Sequence, residues 1–307
     1  MASSPADFAT LVEPHRQELH RYCYRVLGSL SDADDALQEA LLDAWRGLDG
    51  FEGRGTLRAW LFRIATRACV RFAERRPKRM TAPDLGPPTA DIDVGSREDE
   101  QAWLDPYPTD PSWRCEALES IELAYIAALQ TLAPKQRAAL ILCDAIGLSA
   151  EEAARALDTS VGGVNSALQR ARATVGLPDR SQQAILRDVG SAREAELVRR
   201  FVGAWECSDI DALVALLADD ARFTMPPLRT WLAGRAAVEA FLRARMCAWK
   251  LEPTRASGQL AFVCRQAPTW GVGALNVLTL TPDGSAIAEM TAFLDPAVLG
   301  RFLALDR

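Results

Sequence analysis

The feature that most constrains the fold is a pattern of two short helices at residues 148–175, LSAEEAARALDTSVGGVNSALQRARATV. Ser149, followed three residues later by Glu152, has the spacing of a capping box and predicts the start of the first helix. Residues 158–160, Asp-Thr-Ser, interrupt that helix, and Ser160 is a suitable N-cap for the second. The stretch therefore predicts two short helices joined by a tight turn.

The second of these helices has two different faces. Val161, Val164 and Leu168 recur at helical spacing and predict its buried face. Its other face is polar and comprises Asn165, Ser166, Gln169, Arg170 and Arg172. Such side chains can hydrogen-bond base edges or phosphates, as in a helix-turn-helix whose second helix enters the DNA major groove. A helical hairpin with a solvated polar face shows the same spacing, so this pattern alone leaves both interpretations open.

A bundle of three more helices is predicted between residues 5 and 80. The first has an apolar stripe from Leu19 to Val26, and the second runs from Asp32 to Leu48. The outer face of the second helix is acidic and polar, with Asp35, Gln38, Glu39 and Asp43.

The third helix of this bundle begins near Leu57 and becomes strongly basic towards its end, with Phe72 among the cations. The predicted helix carries Arg67, Arg71, Arg75 and Arg76 and runs on to Lys78 and Arg79. Basic side chains interleaved with an aromatic ring can follow a nucleic-acid backbone and stack an unpaired base. Cations also favour a helix C-terminus because of its dipole, so a solvated helix end is the alternative.

Both segments resemble the extracytoplasmic-function (ECF) sigma factors of bacterial RNA polymerase. Residues 22–66, YCYRVLGSLSDADDALQEALLDAWRGLDGFEGRGTLRAWLFRIAT, are similar to region 2 of that family, and residues 128–173 to region 4. The resemblance implies that the acidic helix docks on the clamp helices of the polymerase β′ subunit. It also implies that the basic helix binds the −10 element and a flipped base, and that the helix-turn-helix reads the −35 element.

This chain departs from the family pattern at Arg67 and Arg71, where family members often carry Asn and Asp. A guanidinium cannot present the paired donor and acceptor of an amide. Two interpretations stay open: an altered promoter preference, or a domain that no longer works on DNA.

Residues 81–115 are rich in Pro, Asp and Glu and lack sustained periodicity, which predicts a linker. Trp103, Tyr107 and Trp113 are large apolar groups that a free linker does not need. We expect them to pack against a folded domain.

A third domain is predicted at residues 190–307, after a helix-turn-helix domain at 116–178. Helical stripes at 197–205 and 210–217 and a helix at 236–244 accompany alternating segments at 221–225, 260–265, 274–280 and 286–293. This pattern predicts an α+β cone with an antiparallel sheet, and the segment resembles the SnoaL-like fold. The predicted architecture is thus two all-α domains followed by one α+β domain.

The SnoaL-like resemblance raises the alternative that this domain is an enzyme. The candidate acid/base groups are Glu289, Asp219, Asp220 and Asn276. The candidate pocket residues are Trp205, Phe223, Met225, Trp231, Gln259, Phe262 and Phe293, although an apolar set of this kind is more often simply core. Strand alternation places Glu289 on one face with Ile287, Thr291 and Phe293, and that face points either inward or to solvent.

Composition narrows the remaining possibilities. The net charge of −6 over 307 residues argues against indiscriminate coating of nucleic acid. Two histidines near the N-terminus and seven scattered cysteines without a CxxC pair offer no metal or cofactor motif, so we expect no cofactor. The N-terminus lacks the features of a signal peptide, which favours a cytoplasmic protein without a membrane partner.

The leading hypothesis is an alternative sigma factor that binds RNA polymerase core and promoter DNA and is regulated by its C-terminal domain, with a possible small-molecule ligand there. The alternative is a sigma-like scaffold repurposed as a polyketide-type cyclase, isomerase or hydrolase. A repressor that never contacts polymerase is disfavoured by the acidic helix.

Overall fold

The computed structural model describes residues 5–51, 55–89, 97, 102–109, 121–176 and 180–303. The chain forms two compact units, Met1–Arg79 with Ala124–Leu177, and Met80–Leu123 with Pro178–Arg307. The helices of the described residues are α1 (Pro5–Leu27), α2 (Leu30–Gly47), α3 (Leu57–Arg75), α4 (Ala82–Leu85), α5 (Leu123–Leu129), α6 (Pro134–Leu140), α7 (Ala150–Ala156), α8 (Val161–Thr174), α9 (Gln182–Val189), α10 (Ser191–Glu206), α11 (Ile210–Val214), α12 (Arg235–Arg245) and α13 (Pro296–Leu303). The strands are β1 (Leu217–Thr224), β2 (Trp231–Ala233), β3 (Trp249–Ala256), β4 (Gln259–Gln266), β5 (Gly271–Leu280) and β6 (Ile287–Phe293).

The first unit is entirely helical, as predicted. The stripe of α1 is buried, and Tyr22 packs edge-on against Phe62 of α3 with the ring centroids 5.3 Å apart. The Tyr22 and Thr66 hydroxyls share a buried hydrogen bond of 2.8 Å. Gly28, at φ 68°, ends α1, and Ser29 caps α2. The Tyr22 contacts hold α1 against α3.

The basic helix α3 is shorter than predicted. It ends at Arg75, and Arg76 is extended at φ −112° and ψ 151°. The cause is Pro77, which disfavours helical dihedrals in the preceding residue and lacks an N–H. Lys78 and Arg79 therefore lie beyond the helix and not on its face, which corrects the prediction.

The helix-turn-helix forms as its capping signals predict. Ser149 and Glu152 make both hydrogen bonds of the capping box at the start of α7, at 3.2 and 2.9 Å. Ser160 caps α8 through Gly163 N–H at 3.1 Å. Asp158, at φ 50°, makes the turn.

One prediction about α8 is wrong. Val164 and Leu168 are buried, but Val161 is 36% exposed. Val161 is the first residue of the helix, at the point where the chain leaves the turn.

The second unit contains a six-stranded sheet in the order β2-β1-β6-β5-β4-β3. The pair β1–β6 is parallel and the other neighbours are antiparallel, so the predicted α+β class is confirmed but the sheet is mixed. Leu217 begins β1 and does not end a helix, and Asp219 and Asp220 also lie in that strand. A turn at 281–284 joins β5 to β6, with Gly284 at φ 70°.

The sheet is covered on both faces. One core contains Phe201, Trp205, Phe223 and Phe262 and is covered by α10, α11 and α12. The other contains Val277 and Phe293 and packs against the side chains of α13. The core under α10, α11 and α12 corresponds to the interior of the predicted cone.

The part of the linker that the structure describes packs on this second unit. Tyr107 is buried and exchanges hydrogen bonds with Ser257, which confirms the expectation for Tyr107. Trp103 is half-buried, and Trp113 lies outside the described residues. A short way beyond the predicted linker, the buried Glu122 accepts hydrogen bonds from the backbone N–H groups of Gln182 and Gln183, both at 2.9 Å.

No helix in the described part of the chain combines the length and the apolarity needed to cross a bilayer.

Candidate functional site

The polar face of α8 is presented to solvent. Val164, Leu168 and Ala171 are buried on the opposite side and fix the rotation of the helix. The residues predicted to bind DNA on this helix are all exposed, namely Asn165, Ser166, Gln169, Arg170 and Arg172. Arg172 forms a two-pronged ion pair with Asp144, at 2.6 and 3.2 Å. The structure thus brings the five residues onto one surface, with one of them already paired.

The predicted polymerase-binding and −10-binding residues contact each other. Arg71 of α3 lies 2.5 Å from Glu39 and 3.5 Å from Asp43 of α2. Arg76 lies 3.8 Å from Asp35. The acidic face of α2 and the basic face of α3 are therefore one mixed surface of alternating charge.

A buried carboxylate that sequence reasoning missed lies beneath this surface. Asp32 of α2 is 2% exposed and pairs with both Arg76 and Arg79. It holds the chain just after α3 against α2. No sequence pattern marked Asp32 as the partner of these arginines. It lies in the first turn of α2, where an acidic residue is also expected because of the helix dipole.

The other predicted basic residues are divided between paired and exposed positions. Arg75 and Lys78 are exposed, and Arg67 forms a two-pronged ion pair with Asp158 in the turn before α8. The N···O distances are 2.6 and 3.0 Å, and these hydrogen bonds lower the pKa of Asp158. Arg67 therefore links α3 to the helix-turn-helix.

Two further arginines join regions that are distant in sequence. Arg58 of α3 donates to the Ile146 carbonyl at 2.9 Å while paired with Glu18 at 2.6 Å. The side chain of Arg137 is buried and donates to the Val26 carbonyl at 2.5 Å and to Gln130 Oε1 at 2.7 Å. Burial lowers the pKa of Arg137 to about 10. Neither arginine stood out in the sequence, because each binds a distant main-chain carbonyl that no side-chain pattern marks.

An apolar groove of about 570 Å³ runs beside the acidic face, between α1 and α2. Phe8, Leu41, Leu42 and Trp45 line it, and Gln38 belongs to both the groove and the acidic face. Leu42 is 50% exposed. The polar face of α2 therefore continues into a recess that accepts apolar side chains.

The candidate pocket residues of the second unit do not form one set. Trp205, Phe223, Met225 and Phe262 share the core under α10–α12. Phe293 belongs to the core beside α13, Trp231 donates to the Gly86 carbonyl, and Gln259 hydrogen-bonds Leu278 and Thr279. The structure brings together only the first four.

Glu289 lies away from that core. Its partner Arg222, at 2.7 Å, alternates along β1 with Ala221 and Phe223, which point into the core. Burial raises the pKa of Glu289 and the positive charge of Arg222 opposes that rise. Ile287 was predicted on the same face as Glu289 but belongs to the core under α10–α12. The pairing of β6 with β1 and β5 is irregular next to Ile287, and this interrupts the alternation of the strand.

The other candidate acid/base residues are also separated. Asp219 is exposed and paired with Arg235, and Asp220 is exposed. Asn276 is buried in the register position between Phe262 and Ala292, so it faces the core. In the described structure, no pocket therefore holds Asn276 together with two of these carboxylates.

Three family models match the chain. They are Sigma-70 region 2 over residues 11–79, Sigma-70 region 4 over residues 122–175, and the SnoaL-like domain over residues 198–284.

Relatives of this chain occur in Mycobacterium tuberculosis. The ECF RNA polymerase sigma factor SigG is 37% identical over 311 residues, covering 96% of this chain and 83% of SigG. SigJ is 31% identical over 215 residues, covering 69% of this chain and 62% of SigJ. The crystal structure of SigJ superposes with a TM-score of 0.60 at 21% identity, covering 95% of this chain and 98% of that one, which shows the same fold. The chain therefore belongs to the ECF sigma factors of RNA polymerase, with a SnoaL-like domain at its C-terminal end.

Proposed function

We propose that this transcription-initiation factor contacts polymerase through α2 and reads promoter DNA through α3 and α8. The observation that carries the proposal is the orientation of α8. Its apolar residues are buried and its polar residues are exposed together, as a helix that enters a major groove requires.

The exposed side chains of α8 suit the −35 element. The amides of Asn165 and Gln169 can donate to and accept from adenine, and Arg170 can bind guanine or a phosphate. Ser166 can hydrogen-bond either kind of base. Arg172 would exchange Asp144 for a phosphate.

The docking surface for core polymerase is proposed on α2. Asp35, Gln38, Glu39 and Asp43 supply carboxylates and an amide, and the adjoining groove offers Leu42 as an apolar contact. A helix that carries both cations and apolar side chains is complementary to such a surface. The clamp helices of the β′ subunit are the proposed partner.

The arrangement seen here must open before both promoter elements can be bound. Arg67 of α3 and Asp158 beside α8 are in direct contact at 2.6 Å. Elements centred about 25 base pairs apart are separated by about 85 Å along the duplex, at about 3.4 Å per base pair. We call the arrangement held by Arg58, Arg67 and Arg137 the closed arrangement.

Polymerase binding would free Arg71 of α3 through charge exchange. Arg71 now pairs with Glu39 and Asp43, whereas Arg76 pairs with the buried Asp32 as well as with Asp35. Cations from polymerase that bind Glu39 and Asp43 would release Arg71 for the −10 phosphates. Exposed ion pairs of this kind are individually weak, so the exchange costs little.

The C-terminal domain is proposed to regulate region 4 through the segments that lead into it and out of it. Glu122 is the first residue of the segment that matches region 4, and Gln182 and Gln183 follow that segment. The hydrogen bonds between them tie both ends of region 4 to one point of the second unit. Gln182 also exchanges hydrogen bonds with Leu280 of β5. A change in the sheet would thus reach both connections at once.

A small polar ligand in this domain is a second proposal. Trp205 Nε1 and Asn276 Oδ1 are buried without a hydrogen-bond partner among the described residues. Phe201 contacts the rings of both Trp205 and Phe262, and Phe262 is the cross-strand neighbour of Asn276. A ligand offering an acceptor and a donor would satisfy both atoms and regulate only if it binds one arrangement more tightly.

Copurification with RNA polymerase core, followed by run-off transcription on genomic promoter fragments, tests the main proposal. Stable binding and specific transcripts would support it. A folded protein that fails to bind core would contradict it.

For the ligand proposal, thermal unfolding is measured in the presence of fractionated small-molecule extracts. A stabilising fraction should lose its effect on a W205F/N276L variant, which removes both polar atoms and leaves apolar side chains at the two positions. Equal stabilisation of the variant would place the ligand elsewhere.

A further inference from the structure

Val161 is an apolar residue in an unexpected place. It is the first residue of α8 and 36% exposed, and it is one of four large apolar side chains exposed in the described part of the chain. Val164 and Leu168 bury the apolar face of the same helix. Val161 therefore belongs to the surface of α8 and not to its core.

The position of Val161 continues the polar surface towards the end that enters the groove. Val161, Asn165 and Gln169 are spaced by four residues and form one stripe along the helix. In a helix-turn-helix, the N-terminal residues of the second helix approach the base edges. Val161 is thus the leading member of the stripe.

The neighbours of Val161 leave room for close approach. Gly162 has no side chain, and a Cβ placed there would meet no atom nearer than Ser160 Oγ at 3.9 Å. The Ser160 hydroxyl is itself engaged with Gly163 N–H. Gly162 therefore adds no side chain next to the methyl groups of Val161.

The major groove exposes one apolar group among its base edges, the C5-methyl of thymine. We propose that Val161 contacts a thymine methyl in the −35 element and so contributes to promoter specificity. This inference rests on the proposed reading of that element by α8.

The test replaces thymine by uracil, which removes the methyl and keeps every base-pair hydrogen bond. A −35 element is first selected by the wild-type holoenzyme from duplexes with a randomised segment, and each thymine in it is then replaced in turn. Binding should weaken about three- to fivefold at one position, as expected for loss of one buried methyl contact. The other thymines should show smaller changes.

Variants assign the effect to Val161. V161A should bind the unmodified element more weakly and lose the sensitivity to uracil at that position, whereas V161I should retain it. N165A is the matched control, because it weakens binding but should keep the uracil effect. Circular dichroism checks that each variant is folded.

Three results would overturn the inference. They are a selected element that tolerates uracil at every position, an element without thymine, and a V161A holoenzyme that stays as sensitive as the wild type. A wild-type holoenzyme that selects no element would overturn the proposed −35 recognition as well, which distinguishes the two failures.

Discussion

The α2–α3 surface and the α8 surface both carry residues predicted to bind partners, yet they are used differently in the closed arrangement. On the first, Arg71 and Arg76 are paired with Glu39 and Asp35. On the second, all five polar residues are exposed, and among the described residues only Arg172 of the five has an ion-pair partner, Asp144. Under the proposed function, region 4 presents its reading surface ready for DNA, whereas region 2 must first exchange partners.

The largest effect is expected when the charge of the docking face is reversed. D35K/E39K should reduce the affinity for core polymerase by at least about 100-fold, because buried or close charge pairs at interfaces are worth several kcal/mol. Binding of purified core, measured by fluorescence anisotropy, checks this. E151K, an exposed change on α7, is the matched control. Unchanged binding by D35K/E39K would remove α2 as the docking face.

Removing the amides of α8 should have the next largest effect. N165A/Q169A should lower specific promoter binding by about 10- to 100-fold, as expected when contacts to base edges are lost. Affinity for core should stay the same, because α2 is untouched. If promoter selection persists in run-off assays, the reading surface is not the exposed face of α8.

Breaking the link between the two regions should have a smaller effect of opposite sign. D158A removes the partner of Arg67 and should strengthen holoenzyme formation by up to about fivefold, the range for an exposed ion pair. D144A breaks a comparable pair inside region 4 and should leave holoenzyme formation unchanged. Equal effects of the two variants would show that Arg67 does not hold the closed arrangement.

The smallest effect is the pH response of that link. The pKa of Asp158 is lowered by Arg67, so its contribution is present above the ordinary carboxyl pKa and lost as pH falls through the lowered value. The contribution of the Arg67–Asp158 pair to the closed arrangement should therefore weaken as pH falls below about 4. Fluorescence transfer between α3 and α8 reports this, and D158N should show a smaller change over the same range.

The sequence predicted most of the local structure. Ser149, Glu152 and Ser160 predicted both helix starts of the helix-turn-helix, and the capping hydrogen bonds confirm them. Pro77 disfavours helical dihedrals at Arg76 and so accounts for the end of α3 at Arg75, which the predicted helix overran. Local signals of this kind act within a few residues.

Pairing between distant residues could not be predicted from one sequence. Arg67 and Asp158 are 91 positions apart, and Arg137 binds the Val26 carbonyl, which no side-chain pattern encodes. The alternation of β6 fails at Ile287 because irregular strand pairing depends on the partner strand. The residues proposed to bind partners could be predicted by type, but the side chains that pair with them in the closed arrangement depend on the fold.

The most direct test is the distance between α3 and α8 with and without polymerase. Spin labels carried by unnatural amino acids at the exposed positions Glu74 and Ala173 avoid the native cysteines. The closed arrangement predicts one short distance in the protein alone and an increase of several tens of ångströms in the transcribing complex with core and promoter. The same short distance in a complex that transcribes would contradict the account.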